Sequence, residues 1–206
     1  MECRRIICGN VNCYLLCRSG RGILLDAAGR GFEEKIRREC EKAGVKMELI
    51  FLTHGHIDHV YNAAALAAGW DAPIAMSGKD AGLIANQFSQ PMLTQGLKGR
   101  ALGFASRRLM ERIKIPYFTP DILLGEGDSL REFGLDAHVL QLPGHTAGSI
   151  GLDVAGQLLF VGDAMMNLFR PEAPCLFADK SEAEKSVEKI RVLGRRTLYF
   201  GHGKPL

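Results

Sequence analysis

A chain of 206 residues with 47% hydrophobic and 24% charged side chains can bury one substantial core and is short for two, and that balance excludes a disordered polymer. Its net charge of +3 is too small to imply nucleic acid by itself, and no apolar run approaches the roughly 18 residues that would cross a bilayer. Met1-Glu2-Cys3-Arg4-Arg5 leads into a strand-like run rather than a signal-peptide core, so the expectation is a single cytoplasmic domain over residues 1–206 with no membrane partner.

Residues 4–8, 12–17 and 22–25 are short β-favourable runs punctuated by Gly9-Asn10 and Ser19-Gly20-Arg21-Gly22, the pattern of an antiparallel meander. Four of the six cysteines (Cys3, Cys8, Cys13, Cys17, with Cys40 and Cys175 beyond) fall here. Their spacing matches no compact Cys-x-x-Cys metal pattern, and they read as buried strand thiols in a reducing compartment. Asp26 closes the third run, where a carboxylate can simply open the next turn. Residues 32–43 place Phe32, Ile36, Cys40 and Ala43 at three- and four-residue steps before Gly44, which predicts an amphipathic helix.

A strand over 48–53 then delivers Thr53-His54-Gly55-His56-Ile57-Asp58-His59, three histidines and a carboxylate within six positions. Neutral imidazole suits zinc and related divalent ions, and a nearby carboxylate can bind a second ion or orient a water. His54 and His56 leave an extended segment on the same side and can share one ion. Asp58 and His59 follow the turn, at the start of an alanine-rich helix over 60–70 with Gly69 as its stop, and can serve another. A short strand over 72–76 follows.

Residues 80–115 are helical in tendency, with Gly82, Gly96, Gly99, Gly103 and Pro91 expected to break them into pieces. Within 79–119, seven cations face two carboxylates, a balance of +5. Strand-like runs return at 121–124, 129–133 and 137–142, the last ending in Pro143-Gly144-His145-Thr146. Residues 149–154 and 157–162 predict a hairpin with Asp163 at its end. Residues 181–193 form a final amphipathic helix with Ser181 as cap, and a strand over 197–200 delivers Gly201-His202. His54, His56, His145, Asp163 and His202 each follow a β-run beside or near a glycine, so all can converge on one edge. His138 sits mid-strand without that context and is left out.

His54-x-His56-x-Asp58-His59, Pro143-Gly144-His145-Thr146-x-Gly148-Ser149, Gly162-Asp163 and Gly201-His202-Gly203 together resemble the motif series of the metallo-β-lactamase fold superfamily, closest to its glyoxalase II-like branch. The resemblance spans the chain except 79–119. It implies an α/β fold, a four-layer αβ/βα sandwich with 79–119 as a helical insertion, and a dinuclear metal site at its rim. By that resemblance His54, His56 and His145 bind one ion and Asp58, His59 and His202 another. Asp163 bridges the two, Asp58 orients the attacking hydroxide, and Asp26 supports the ligand loop. The implied cofactors are two divalent transition-metal ions, zinc first, with iron or manganese as alternatives.

The expected activity is hydrolysis of a small thioester, ester or lactam-like substrate by a metal-bridging hydroxide. A phosphodiesterase or nuclease on the same site is the alternative, drawn from the basic 79–119 segment, and a non-hydrolytic di-metal redox or sensory protein is the third. Little aromatic interleaving accompanies those cations, so the expected partner is a small molecule, favoured when anionic, and not nucleic acid. Glyoxalase II proper carries a C-terminal helical domain for glutathione, whereas four residues follow His202 here. The 79–119 insertion is therefore expected to act as a lid, mobile at Gly96, Gly99 and Gly103, with a subunit contact through its apolar face as the competing reading, and Tyr61 to narrow the pocket or contact substrate.

Overall fold

The computed structural model describes residues 1–206, apart from the side chain of Lys98. Strands β1 (Glu2–Cys8), β2 (Val11–Arg18) and β3 (Arg21–Leu25) form the predicted meander. Cys8 pairs with Val11 across the two-residue turn Gly9-Asn10, where Gly9 takes φ +70°, a turn geometry that favours glycine. Helix α1 (Glu33–Ala43) has Glu33 and Glu34 in its first turn, Ile36 and Cys40 on its buried face, and Gly44 in the left-handed conformation beyond its end.

After β4 (Lys46–Phe51) the predicted single helix is two: α2 (Ile57–Val60) and α3 (Ala63–Trp70). The break falls at Asn62, whose side-chain amide donates to the carbonyls of Ala27 and Gly29. The stop is Asp71 at φ 51° rather than Gly69. Gly69 instead gives room to the Arg37 guanidinium, which any Cβ there would strike. β5 (Ile74–Met76), α4 (Ala81–Ala85), the two-residue β6 (Leu93–Thr94), α5 (Gly96–Arg112) and β7 (Ile122–Leu123) follow.

The run at 129–133 is not a strand. Arg131–Phe133 is a 3₁₀ turn closed by Gly134 at φ 82°, which lets Leu130 and Leu135 both enter the core. β8 (Ala137–Gln141), β9 (Ile150–Val154), β10 (Leu158–Gly162), β11 (Met166–Asn167), β12 (Pro171–Glu172) and β13 (Leu176–Phe177) precede α6 (Lys180–Val192) and β14 (Thr197–Phe200). α6 is capped by Asp179, whose Oδ1 accepts from the Glu182 amide at 3.0 Å, two residues earlier than the Ser181 expected.

Six strands form one sheet in the order β1-β2-β3-β4-β5-β7, and four form another in the order β14-β10-β9-β8. Tyr14, Leu16, Leu25, Phe51, Val139 and Phe160 belong to the core between the sheets. Ile36, Cys40, Val60, Ala63 and Leu66 cover the outer face of the first sheet, and Val187 and Ile190 of α6 cover that of the second. The result is the αβ/βα sandwich. It explains why β2 is buried from Val11 to Cys17 without alternation: helices lie on one face and a sheet on the other. All six cysteines are free thiols, and Cys8, Cys13, Cys17 and Cys40 are buried. No helix among the described residues is long and apolar enough to cross a membrane.

Candidate metal centre

β3 runs parallel to β4, and β10 parallel to β14. β8 and β10 are both antiparallel to β9, hence parallel to each other. Within each sheet the C-terminal ends of these strands therefore lie at one edge, and each releases one or more polar residues: Asp26, then His54, His145, Asp163 and His202. Two features tie the last of these to the first sheet. Tyr14 Oη and Asn12 Nδ2 both donate to the Phe200 carbonyl, at 2.7 and 2.9 Å, and the Asn12 amide donates to Gly201 O at 2.8 Å. Gly201 is required by crowding, because a Cβ there would lie 2.8 Å from His59 Cε1 and strike Asp163 Oδ1.

Three groups of donor atoms, each within 4.8 Å of one another, result: His54, His56 and His145; His54, His59 and Asp163; Asp58, His59 and His202. All seven residues expected from the sequence thus meet at one place. Asp163 faces both halves, with Oδ1 3.6 Å from His59 Nε2 and Oδ2 3.6 Å from His145 Nε2 and 3.2 Å from His202 Nε2. His138 is exposed on β8 and belongs to none of these groups.

The hydrogen bonds behind the rings decide which nitrogens face inward. His145 Nδ1 donates to the Leu176 carbonyl at 2.8 Å and His202 Nδ1 to the Asn10 carbonyl at 2.8 Å. His59 Nδ1 donates to Asp26 Oδ2 at 2.8 Å. Thr53 Oγ1 spends its proton on Asp26 Oδ2 at 2.9 Å, so at 3.0 Å it accepts from His54 Nδ1. Each of these four rings therefore presents Nε2 to the centre. His56 presents Nδ1, 2.9 Å from His145 Nε2. Asp26, held at φ 60° with Oδ1 accepting from the Thr53 amide at 2.8 Å, organises the ligand loop as expected.

Two buried polar atoms, His54 Nε2 and Asp163 Oδ1, have no hydrogen-bond partner among the described residues. Orphaned acceptors of that kind are costly unless something completes them. Five imidazoles and two carboxylates form the donor set that divalent transition ions take, so the residues fit the metals that the sequence implies.

The two halves differ in charge. Burial, together with the His59 and His145 rings, holds His54 well below the usual imidazole range, and burial beside His145 holds His56 down to about 3. Against burial, Asp163, Asp26 and Asp58 raise His59 to about 9, and Asp163 and Asp58 raise His202 to about 11. Burial alone would raise the carboxyls of Asp58 and Asp163, but His59 and His202 hold both far below their usual value.

Asp80 is a residue that sequence reasoning missed, having counted it only as a charge in the basic segment. It is fully buried. Its Oδ2 accepts from the Gly55 amide at 2.9 Å and Thr146 Oγ1 at 2.7 Å, and its Oδ1 from the Gly148 amide at 2.8 Å and Gln90 Nε2 at 2.8 Å. One carboxylate thus ties the His54–Asp58 loop to the His145 loop. Gln87 adds to this, accepting from the Ile57 amide at 2.9 Å and donating to Gly55 O at 2.8 Å. The available signal was position, since Asp80 follows the end of a strand as the other site residues do.

The insertion therefore frames the centre, and two of its glycines serve packing. Gly99 and Gly103 lie inside the continuous α5, where a Cβ would come within 2.8 Å of Cys175 O and 2.6 Å of Thr94 Cγ2. They let α5 lie against β6 and β13, which pair with each other, and β13 carries the Leu176 carbonyl that holds His145. Further along, Leu109 and Ile113 line a cavity of about 200 Å³ that also reaches Asp58. Tyr61 does not line that cavity and instead packs on the core outside the first sheet.

Comparison with known proteins agrees with this geometry. The family model of the metallo-beta-lactamase superfamily matches residues 6–202. An uncharacterised protein of Aquifex aeolicus is 32% identical over 161 residues, 74% of this chain and 67% of that protein. Hydroxyacylglutathione hydrolase GloC of Haemophilus influenzae is 28% identical over 156 residues, 75% of this chain and 66% of that one. The crystal structure of TTHA1623 in a di-iron-bound form superposes with a TM-score of 0.71 at 26% identity, covering 98% of this chain and 92% of that one.

Proposed function

The chain belongs to the metallo-beta-lactamase superfamily, and from that premise we propose a dinuclear metal-dependent hydrolase acting on a small thioester, ester or lactam-like substrate. The observation that carries it is the pair of orphaned buried acceptors, His54 Nε2 and Asp163 Oδ1, at the meeting point of two three-residue donor groups. His54, His56 and His145 would hold one ion and Asp58, His59 and His202 the other, with Asp163 available to both. Two zinc ions, or iron or manganese in their place, would supply hydroxide near neutral pH and polarise a carbonyl.

The chain's own residues do the rest. Asp26 fixes the His59 tautomer and, through Thr53, that of His54, so neither ring reorganises on binding. Asp58 is the carboxylate that the cavity reaches, with its side chain 36% exposed. It stays ionised and can accept a hydrogen bond from the attacking water, orienting it at the substrate carbonyl. The water's oxygen adds to that carbon, the bond to the departing alkoxide, thiolate or amide breaks, and one proton passes to the leaving group. Likeness to the hydroxyacylglutathione hydrolase GloC of Haemophilus influenzae supports thioesters among these classes. One domain with a framing insertion at 79–119, in the cytoplasm with its thiols free, completes the proposal.

Metal analysis combined with a panel of thioester, ester, lactone, β-lactam and phosphodiester substrates tests it. Metal-dependent turnover of a carbonyl substrate is expected. Turnover confined to phosphodiesters would move the chain to nuclease-type chemistry, and metal content without turnover would reject the hydrolase.

A further inference from the structure

The cavity beside Asp58 is bounded by the β1–β2 turn, by the loop after β3, by Ile57 of the ligand loop and by the end of α5. At about 200 Å³ it is smaller than the roughly 300–1,000 Å³ of pockets that take drug-sized ligands, so it suits a short chain. Val11, Phe32, Ile57, Leu109 and Ile113 make its walls largely apolar. Two charged side chains line it, Asp58 and Arg30.

Arg30 is exposed, and its guanidinium has no hydrogen bond or ion pair among the described residues. Arg5 of β1 and Arg37 of α1 differ: Arg5 is tied to Asn12 and Gly203, and Arg37 to Glu33 and Ala65. An unpaired guanidinium on an apolar cavity next to the reaction centre is a recognition element, because its planar fork matches a carboxylate. Asp58 belongs to the proposed metal centre, where the scissile carbonyl must lie, and that leaves Arg30 as the cavity's free charge for the far end of a substrate. A charged substrate is therefore oriented with its carboxylate at Arg30 and its scissile carbonyl towards Asp58.

Resting on the hydrolase reading above, we propose that this cavity holds the acyl chain of a short dicarboxylic monothioester or monoester, with Arg30 binding the free carboxylate. Water adds to the acyl carbon, the C–S or C–O bond breaks, and one proton goes to the departing thiolate or alkoxide. The products are a free dicarboxylate and a thiol or alcohol.

The test uses the metal-loaded protein with chromogenic aryl monothioesters of succinate, glutarate and adipate, each beside a counterpart whose far carboxylate is capped as the neutral amide. The acids are expected to be preferred in kcat/KM by about tenfold or more through KM, the scale of one charge-assisted hydrogen bond. Arg30→Ala should abolish that preference while leaving the capped substrates within about twofold, and Arg30→Lys should retain part of it. Leu109→Trp should shift the preference to the shorter acids. Calorimetric binding of glutarate should weaken in Arg30→Ala by the same factor as KM. Equal kcat/KM for acid and amide, or a preference that survives Arg30→Ala, would overturn the inference and leave hydrolysis standing. Should no thioester be turned over, the hydrolase reading fails in its thioester form and glutarate decides separately: binding that weakens in Arg30→Ala upholds the cavity, while absent or unchanged binding overturns it.

Discussion

His54, His56 and His145 on one side of Asp163, and Asp58, His59 and His202 on the other, are built from much the same chemistry and held in different charge states. In the first group the rings crowd one another, and burial keeps His54 and His56 neutral. In the second, His59 and His202 face Asp26, Asp58 and Asp163 and carry protons at neutral pH when no cation is present. Neutral His54 and His56 have no net proton to release on ligating, only a tautomer to settle. The second must release protons before it can ligate, so its affinity for metal should depend more steeply on pH.

The same contrast governs the metal-free protein. His59 and His202, with pKa values raised above the unfolded one, contribute stability that is present below about pH 6.5; it is lost as pH rises through about 9 and about 11. Asp58 and Asp163, lowered in the fold, contribute stability present above roughly pH 4 and lost as pH falls.

The largest way to break the comparison is Asp163→Ala, which removes the one carboxylate facing both halves. Both metal affinities should fall and turnover should drop by about a thousandfold; two ions still tightly held in a metal analysis would refute the bridging role. Asp26→Asn sharpens it instead. Asparagine tolerates the left-handed backbone there but weakens the support behind His59. The affinity of the Asp58–His59–His202 half should fall about ten- to a hundredfold with a smaller change in the other, read by competition with a chromophoric chelator.

The smallest effect runs the opposite way. Gly103→Ala pushes a Cβ to within 2.6 Å of Thr94 and strains the β6–β13 ribbon that supports His145. It should cost about 1–3 kcal/mol in denaturant unfolding and disturb the first half only. An equal loss at both halves would show that the insertion does not act through β13.

The convergence of the seven candidate ligands was legible because strand ends and glycines mark them locally: His54 through His59 lie in one loop, and His145, Asp163 and His202 each follow a β-run. The layers were legible from the alternation of runs and turns. What escaped was whatever depends on contacts distant in sequence. Asp80 gives no local sign that Gly55, Thr146 and Gly148 will converge on it. Gly99 and Gly103 look like helix breakers until β6 and β13 are seen to need the space. Residues 129–133 have strand-forming composition, yet Gly134 turns them so that Leu130 and Leu135 share one core.

The most direct measurement is a titration of the metal-free protein with zinc at neutral pH, following ions bound and protons released together. Two ions should bind per chain, the first with little proton release and the second with release from His59 and His202, its affinity climbing faster as pH rises. A stoichiometry that stays near one after full loading, or two steps with the same proton release, would contradict a centre built as two unlike halves around Asp163.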